Sequence, residues 1–376
     1  MTPPKITLRG MTWDHPRGYL PLDACSAVWK ERTGVTVAWD RRSLQDFESY
    51  PVQELAQHYD LIVIDHPHVG QICVEHCLMP LKSPRVSALA GAFVGASYAS
   101  YFWQGSQWAV PIDAASQVQV WANDRIDAPA TSWDAVSDMA HEGLVTLPLR
   151  TPHSLMCLFT LVAQMGYPAD EHGPQLFALE PTCDAVERLR TLMHLVEPAC
   201  QGEDPIAALN RMAQPDSKVA CAPLIFSYVN YAWESFRPVR LSFSDIPIFP
   251  GRSTDGAVLG GTGIAISART QYAQEALDFA LWAGEESTQA GVYAMSGGQP
   301  AHSAAWVSPE VNAKAGNFYR NTRQTLEGAW VRPRHNGYMN YQDAGARRLL
   351  EGLQKGEGAV TIVEALNAMY IDSLPA

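Results

Sequence analysis

The 376-residue chain is 47% hydrophobic and 18% charged, an ordinary balance for a globular protein, and it is long enough to bury the cores of two domains. Its 39 acidic against 27 basic residues leave a net charge of -12, which opposes binding to a phosphate backbone, so nucleic acid is not an expected partner. No apolar run approaches the ~20 residues of a membrane span, so no membrane insertion is expected.

In chain order, KITLRGMTW reads as a first strand and is followed by a polar corner, Asp14-His15-Pro16. LDACSAVWKERTG has helical spacing and stops at Gly34. VTVAWDRRS alternates as a second strand, and LQDFESYPVQELAQHY reads as mostly helical, broken at Pro51. DLIVIDH is a short continuous apolar run, as in a strand buried on both faces, and it ends in a second corner, Asp65-His66-Pro67. Strand and helix thus alternate over the first 65 or so residues, which predicts α/β structure with right-handed crossovers. Ligands bind beyond the carboxyl ends of strands in such sheets, so both corners should fall at one sheet edge as neighbours.

Further on, QWAVPIDAASQVQVWAND is long and extended, interrupted by Pro111, as a chain passing between two domains would be. TSWDAVSDMAHEG predicts a capped helix, LVTLPL a strand, and SLMCLFTLVAQMG a buried helix. CDAVERLRTLMHLVEPA and DPIAALNRMAQ read as amphipathic helices. KVACAPLIFSYVNYAW begins as a strand and ends in an aromatic turn, and VLGGTGIAISA reads as a glycine-rich turn entering a strand.

The seven cysteines form no compact framework and mostly sit in apolar contexts, so they read as small core residues and favour a reducing compartment. The N-terminus lacks the apolar run of a secretory signal. The expected location is therefore cytoplasmic if Met1 is the native start, and periplasmic if a leader has been trimmed.

The order of these segments resembles family 1 extracellular solute-binding proteins, the ligand receptors of ABC importers for sugars and related solutes. YDLIVIDHPHVG, WAVPIDAASQVQVWAND with TSWDAV, PLIFSYVNYAW, LGGTGIAISA, ALDFALWAGEESTQAGVYAMSGGQPA and WVRPRHNGYMNYQ carry the likeness over nearly the whole chain. The resemblance implies a type II periplasmic-binding-protein-like α/β fold. It would have two lobes, each a mainly parallel sheet flanked by helices, with a cleft at the hinge. It places residues 1–112 plus 257–305 in lobe one and 113–256 plus 306–376 in lobe two. A small-molecule ligand, permease subunits as partners and a monomeric state follow from it.

By the same resemblance, the cleft would receive Trp13, Asp14, His15 and Arg17 from the first corner and Asp65, His66 and His68 from the second. Asp113 lies near the hinge; Arg150, Thr151 and His153 follow LVTLPL; Tyr228 and Tyr231 come from the aromatic turn. Gly260, Gly261 and Thr262 offer unobstructed backbone N–H groups, and Arg334, His335 and Tyr338 close the set. Asp14 could instead simply cap local backbone. Sugar receptors of this family rely on aromatic plates with carboxylates and amides, whereas this set is rich in His and Arg. Because a guanidinium fork suits a carboxylate or phosphate, an anionic ligand is expected, with Arg17 as its anchor.

An alternative from another class is a cytosolic enzyme on the same fold, since fold does not fix function. In it Asp14 would orient His15 or His66 as a general acid or base, and Arg17 would anchor a substrate carboxylate in a lyase, hydrolase or isomerase step without a cofactor. HPHVGQICVEHC also permits a metal reading through His66, His68, Cys73, His76 and Cys77, but its spacing departs from paired zinc-ligand segments, and no metal is expected. LGGTG lacks the Lys-Ser/Thr of a P-loop and the full dinucleotide fingerprint.

Overall fold

The computed structural model describes residues 5–43, 51–173 and 175–375. LQDFESY, read above as the start of a helix, lies outside the described residues. The chain divides into two compact units, Met1–Ala115 with Gly260–Ala315 and Ser116–Leu259 with Gly316–Ala376. Its strands are β1 (Thr7–Trp13), β2 (Thr36–Arg42), β3 (Leu61–Ile64), β4 (Phe102–Trp103), β5 (Ser106–Gln107), β6 (Val110–Trp121), β7 (Cys221–Phe226), β8 (Ser242–Ser244) and β9 (Leu259–Ile266).

In the first unit β2, β1 and β3 run parallel in that order, and β9 joins the far side of β3 antiparallel. All four residues of β3 are buried, as its unbroken apolar run requires. Gly10 in β1 lets the Trp39 indole lie directly across the strand, since a Cβ there would sit 2.4 Å from the ring. Helix α1 (Pro16–Thr33) starts earlier than its apolar spacing suggests, because Pro16 is pre-set for the first helical position. It ends at Gly34, whose φ of 78° only glycine adopts cheaply, and whose N–H donates to the Lys30 carbonyl. Below the sheet Met11, Ile62, Ile64, Val69 and Ile72 form one apolar core.

The second corner passes through one 3-10 turn, His66–His68, into the short helix α2 (Val69–Glu75). That helix stops before His76, which takes a left-handed conformation, so Cys77 lies beyond it. Cys73 and Cys77 are both buried, and burial pushes their thiols up to about 11 and about 12. Among the described residues no three His, Cys, Asp or Glu side chains converge to hold a metal ion.

Strand β6 is buried at every residue except Trp121, which is half-buried. Pro111 does not interrupt it: as the second residue of the strand, its missing N–H costs little ladder pairing. In the second unit β6 pairs antiparallel with β7 and β8. The strand expected at LVTLPL shrinks to a single parallel bridge, Val145 to Cys221, because Pro148 has no N–H with which to extend it. The glycines of LGGTG lie within β9 rather than in a turn before it. Gly261 has φ 108°, and a Cβ there would meet the Asp113 carbonyl oxygen at 2.4 Å.

The second unit is helical around its strands. Helices α3 (Trp133–His141), α4 (His153–Gln164) and α5 (Leu179–Leu195) precede β7, with α6 (Pro205–Met212) between α5 and that strand. After α7 (Ala273–Gly284), which belongs to the first unit, come α8 (Tyr338–Gln354) and α9 (Ala359–Ser373). Helix α4 is apolar all round and almost wholly buried, the pattern of a central core helix. Ser132 caps α3 by accepting from the Ala135 N–H, as the sequence predicts. Two buried amides fix β6 here: Gln117 accepts from Thr160 Oγ1 at 2.5 Å, and Gln119 exchanges hydrogen bonds with both backbone groups of Ala130.

Candidate functional site

The first unit gathers one candidate cluster at the carboxyl ends of β1 and β3. Gly10 pairs with Leu61 and Met11 with Ile62, so continuing that register sets Trp13 level with Ile64 and the two corners side by side. Antiparallel β9 starts at the same edge, with Ile64 opposite Gly263. Gly260, Gly261 and Thr262 therefore lie beside the second corner.

At the first corner the imidazole, not the carboxylate, caps the helix: His15 Nδ1 accepts from the Arg17 N–H at 3.1 Å. Asp14 donates its backbone N–H to the Arg42 carbonyl at 2.6 Å, while its exposed carboxylate makes no hydrogen bond or ion pair among the described residues. Arg17 turns inward and binds Asp113 with both arms of its fork, through Nε at 2.8 Å and through Nη2. Both partners are buried, so this is a desolvated, bidentate pair. Burial raises the Asp113 carboxyl from its ordinary range, Arg17 pulls it back, and nearby Asp65 pushes it up again.

At the second corner the carboxylate caps instead. Asp65 Oδ1 accepts from the His66 N–H at 2.8 Å and lies 3.1 Å from His66 Nδ1. His66 is fully buried, edge-on to Tyr101 with ring centres 6.3 Å apart. The Tyr101 hydroxyl donates to the Ile64 carbonyl at 3.0 Å and lies 3.4 Å from the Gly261 carbonyl, tying β3 to β9. Trp13, His68 and Thr262 are buried around this edge. Charge here is acidic, with Asp14, Asp65 and Asp113 against Arg17. Arg17 is engaged by Asp113 inside the fold, and Arg42 ends the neighbouring strand β2 opposite Trp13.

The candidate residues of the second unit fall into three places. Arg150, Thr151 and His153 stand at the start of α4, where the Thr151–Pro152 bond is cis. Arg150 Nη2 meets Asp204 Oδ2 at 2.6 Å, and Asp204 also caps α6 by accepting from the Ala207 N–H. His153 is buried edge-on to Phe226, and burial depresses its imidazole to about 4; Asp204 opposes this, while Arg150 and Arg332 reinforce it.

The other two places are the aromatic turn and a segment near the C-terminus. In the aromatic turn Tyr231 is fully buried, its hydroxyl donates to Asn210 Oδ1 at 2.9 Å, and burial pushes it up to about 12; Tyr228 is buried nearby in sequence. Near the C-terminus, His335 Nε2 lies 3.0 Å from Ser373 Oγ, with its ring edge-on to Tyr370 and Tyr338. Burial lowers both His335 and Arg334, with Glu171 opposing at Arg334. Tyr338 is fully buried.

Sequence reasoning missed Asp204, Arg332, Phe226 and Tyr101. Asp-Pro at 204–205 is a helix-start signal that could have flagged Asp204; its pairing with Arg150 has no sequence signature.

The whole molecule has the α/β fold of the two-lobed periplasmic binding proteins. A maltose-bound MalE3 from T. maritima matches it with TM-score 0.84 at 14% identity, over 98% of this chain and 100% of that one. A solute-binding protein from Agrobacterium radiobacter in complex with ribitol matches with TM-score 0.80 at 18% identity, over 98% of each chain. One from Thermotoga lettingae bound to α-D-tagatose gives 0.82 at 14%, over 98% of this chain and 100% of that one. No curated protein matches the sequence. The family model for bacterial extracellular solute-binding proteins matches residues 27–318, and the chain belongs to that family. It is thus a solute-binding protein of the ABC-transporter type. The family is extracellular, and among the described residues no helix is long and apolar enough to cross a membrane.

Proposed function

We propose that the chain captures a neutral polyhydroxylated solute, a sugar or polyol, at the strand edge of the first unit and presents it to ABC permease subunits. The observation that carries this reading is the buried, two-armed pairing of Arg17 with Asp113. The His- and Arg-rich set pointed to an anionic ligand, but freeing the Arg17 guanidinium for one would strand a buried carboxylate. Arg150 is likewise engaged, by Asp204. What remains for a ligand on the first corner is the uncommitted Asp14 carboxylate, a hydrogen-bond acceptor suited to hydroxyl donors and repulsive to anions. The maltose, ribitol and tagatose named for the similar structures favour the same ligand class.

The test is a thermal-shift panel of mono- and oligosaccharides, polyols, sugar acids and dicarboxylates at one ionic strength. Stabilisation confined to neutral members supports the reading, and a shift produced only by the acids overturns it.

A further inference from the structure

A cavity lies wholly within the second unit. It has a volume of about 240 Å³ and opens between α3 and α5. One wall is a stacked pair, Trp133 on Phe249, with ring centres 5.6 Å apart and planes 22° apart. Buried Leu161 and Leu192 line its depth. A dry apolar cavity of about 150 Å³ accepts benzene, so this one has room for a single substituted ring.

Its rim is charged. Glu187 lies 3.4 Å from Arg190 and is thereby partly neutralised. Arg188 has its guanidinium over the Phe249 ring, 5.0 Å from the centroid, and among the described residues it forms no ion pair. A guanidinium held on an aromatic face is pre-positioned and only partly hydrated, which suits a planar carboxylate. We propose that this cavity is a binding site for a small aromatic carboxylate: the ring enters beside Trp133 and Phe249, and the carboxylate meets Arg188. This site shares no residue with the solute site proposed above, and the proposal stands independently of it.

Benzoate and phenylacetate serve as probes, with benzyl alcohol as the neutral control. Binding is followed by saturation-transfer NMR and by the indole N–H signal of Trp133, assigned with Trp133→Phe. Saturable binding of the acids is expected, at least about tenfold tighter than that of the alcohol, the size of one charge-assisted contact. Arg188→Gln should erase that preference, and Thr191→Trp, a filling change at an exposed rim position, should abolish binding. Both variants should keep the parent melting temperature. Equal binding of acid and alcohol, acid binding that survives Thr191→Trp, or no saturable binding up to about 10 mM would each overturn the proposal.

Discussion

The same tripeptide, Asp-His-Pro, closes β1 and β3, yet the two corners are wired differently. In the first, His15 caps the helix, and the Asp14 carboxylate makes no hydrogen bond or ion pair among the described residues. In the second, Asp65 is the cap and His66 is driven into the core. The difference is one of register: the first corner enters a long α-helix at Pro16, whereas the second enters a single 3-10 turn one position earlier, at His66. A repeated motif therefore placed chemistry at one sheet edge without assigning the same work to the same residue type. Only the first corner adds a buried guanidinium, and it is locked to Asp113.

The largest effect expected from breaking this arrangement lies at that lock. Arg17→Ala should cost about 3–5 kcal/mol in denaturant unfolding by stranding the Asp113 carboxylate, while Arg17→Met combined with Asp113→Leu should recover most of the loss. A loss under about 1 kcal/mol in the single variant would mean the pair is not desolvated.

A contrast with the capping imidazole sharpens the comparison. His153 is buried without a cap to make, and it takes a proton only at about 4 when folded, against 6.5 ordinarily. Between those values the unfolded chain binds more protons. The stability His153 permits is therefore full above about pH 6.5 and is lost as pH falls toward about 4, some ~3 kcal/mol in all. His153→Phe should flatten that part of the stability profile, measured by unfolding at intervals across the window; an unchanged slope would assign it to other groups.

Smaller effects separate the corners directly. Asp65→Ala and His15→Ala should each cost about 1 kcal/mol, the usual worth of a helix cap. Asp14→Ala should change stability by less than ~0.5 kcal/mol, yet weaken solute binding about tenfold. Equal destabilisation by Asp14→Ala and Asp65→Ala would show the corners to be equivalent after all.

Much of the frame was legible because it rests on local rules. The alternation around β1 to β3, the buried run of β3, the Gly34 stop and the Ser132 cap all follow from periodicity and termini. Adjacent corners followed from their shared place after parallel strands. What was not legible depends on contacts distant in sequence. Arg17 and Asp113 are 96 residues apart, and nothing near either announces the other, so Arg17 read as a ligand anchor. Tyr231 and His335 enter the binding set through the family resemblance, and their partners Asn210 and Ser373, distant in sequence, are not announced by it. Pro148 erased a strand whose apolar pattern alone looked sufficient.

The most direct measurement is calorimetric titration with a matched pair, the best neutral sugar or polyol from the panel and its own carboxylic-acid derivative, at low and high salt. The account predicts that the neutral form binds at least about tenfold tighter, with an affinity that salt barely changes. Tighter binding of the acid, weakened by salt, would contradict it.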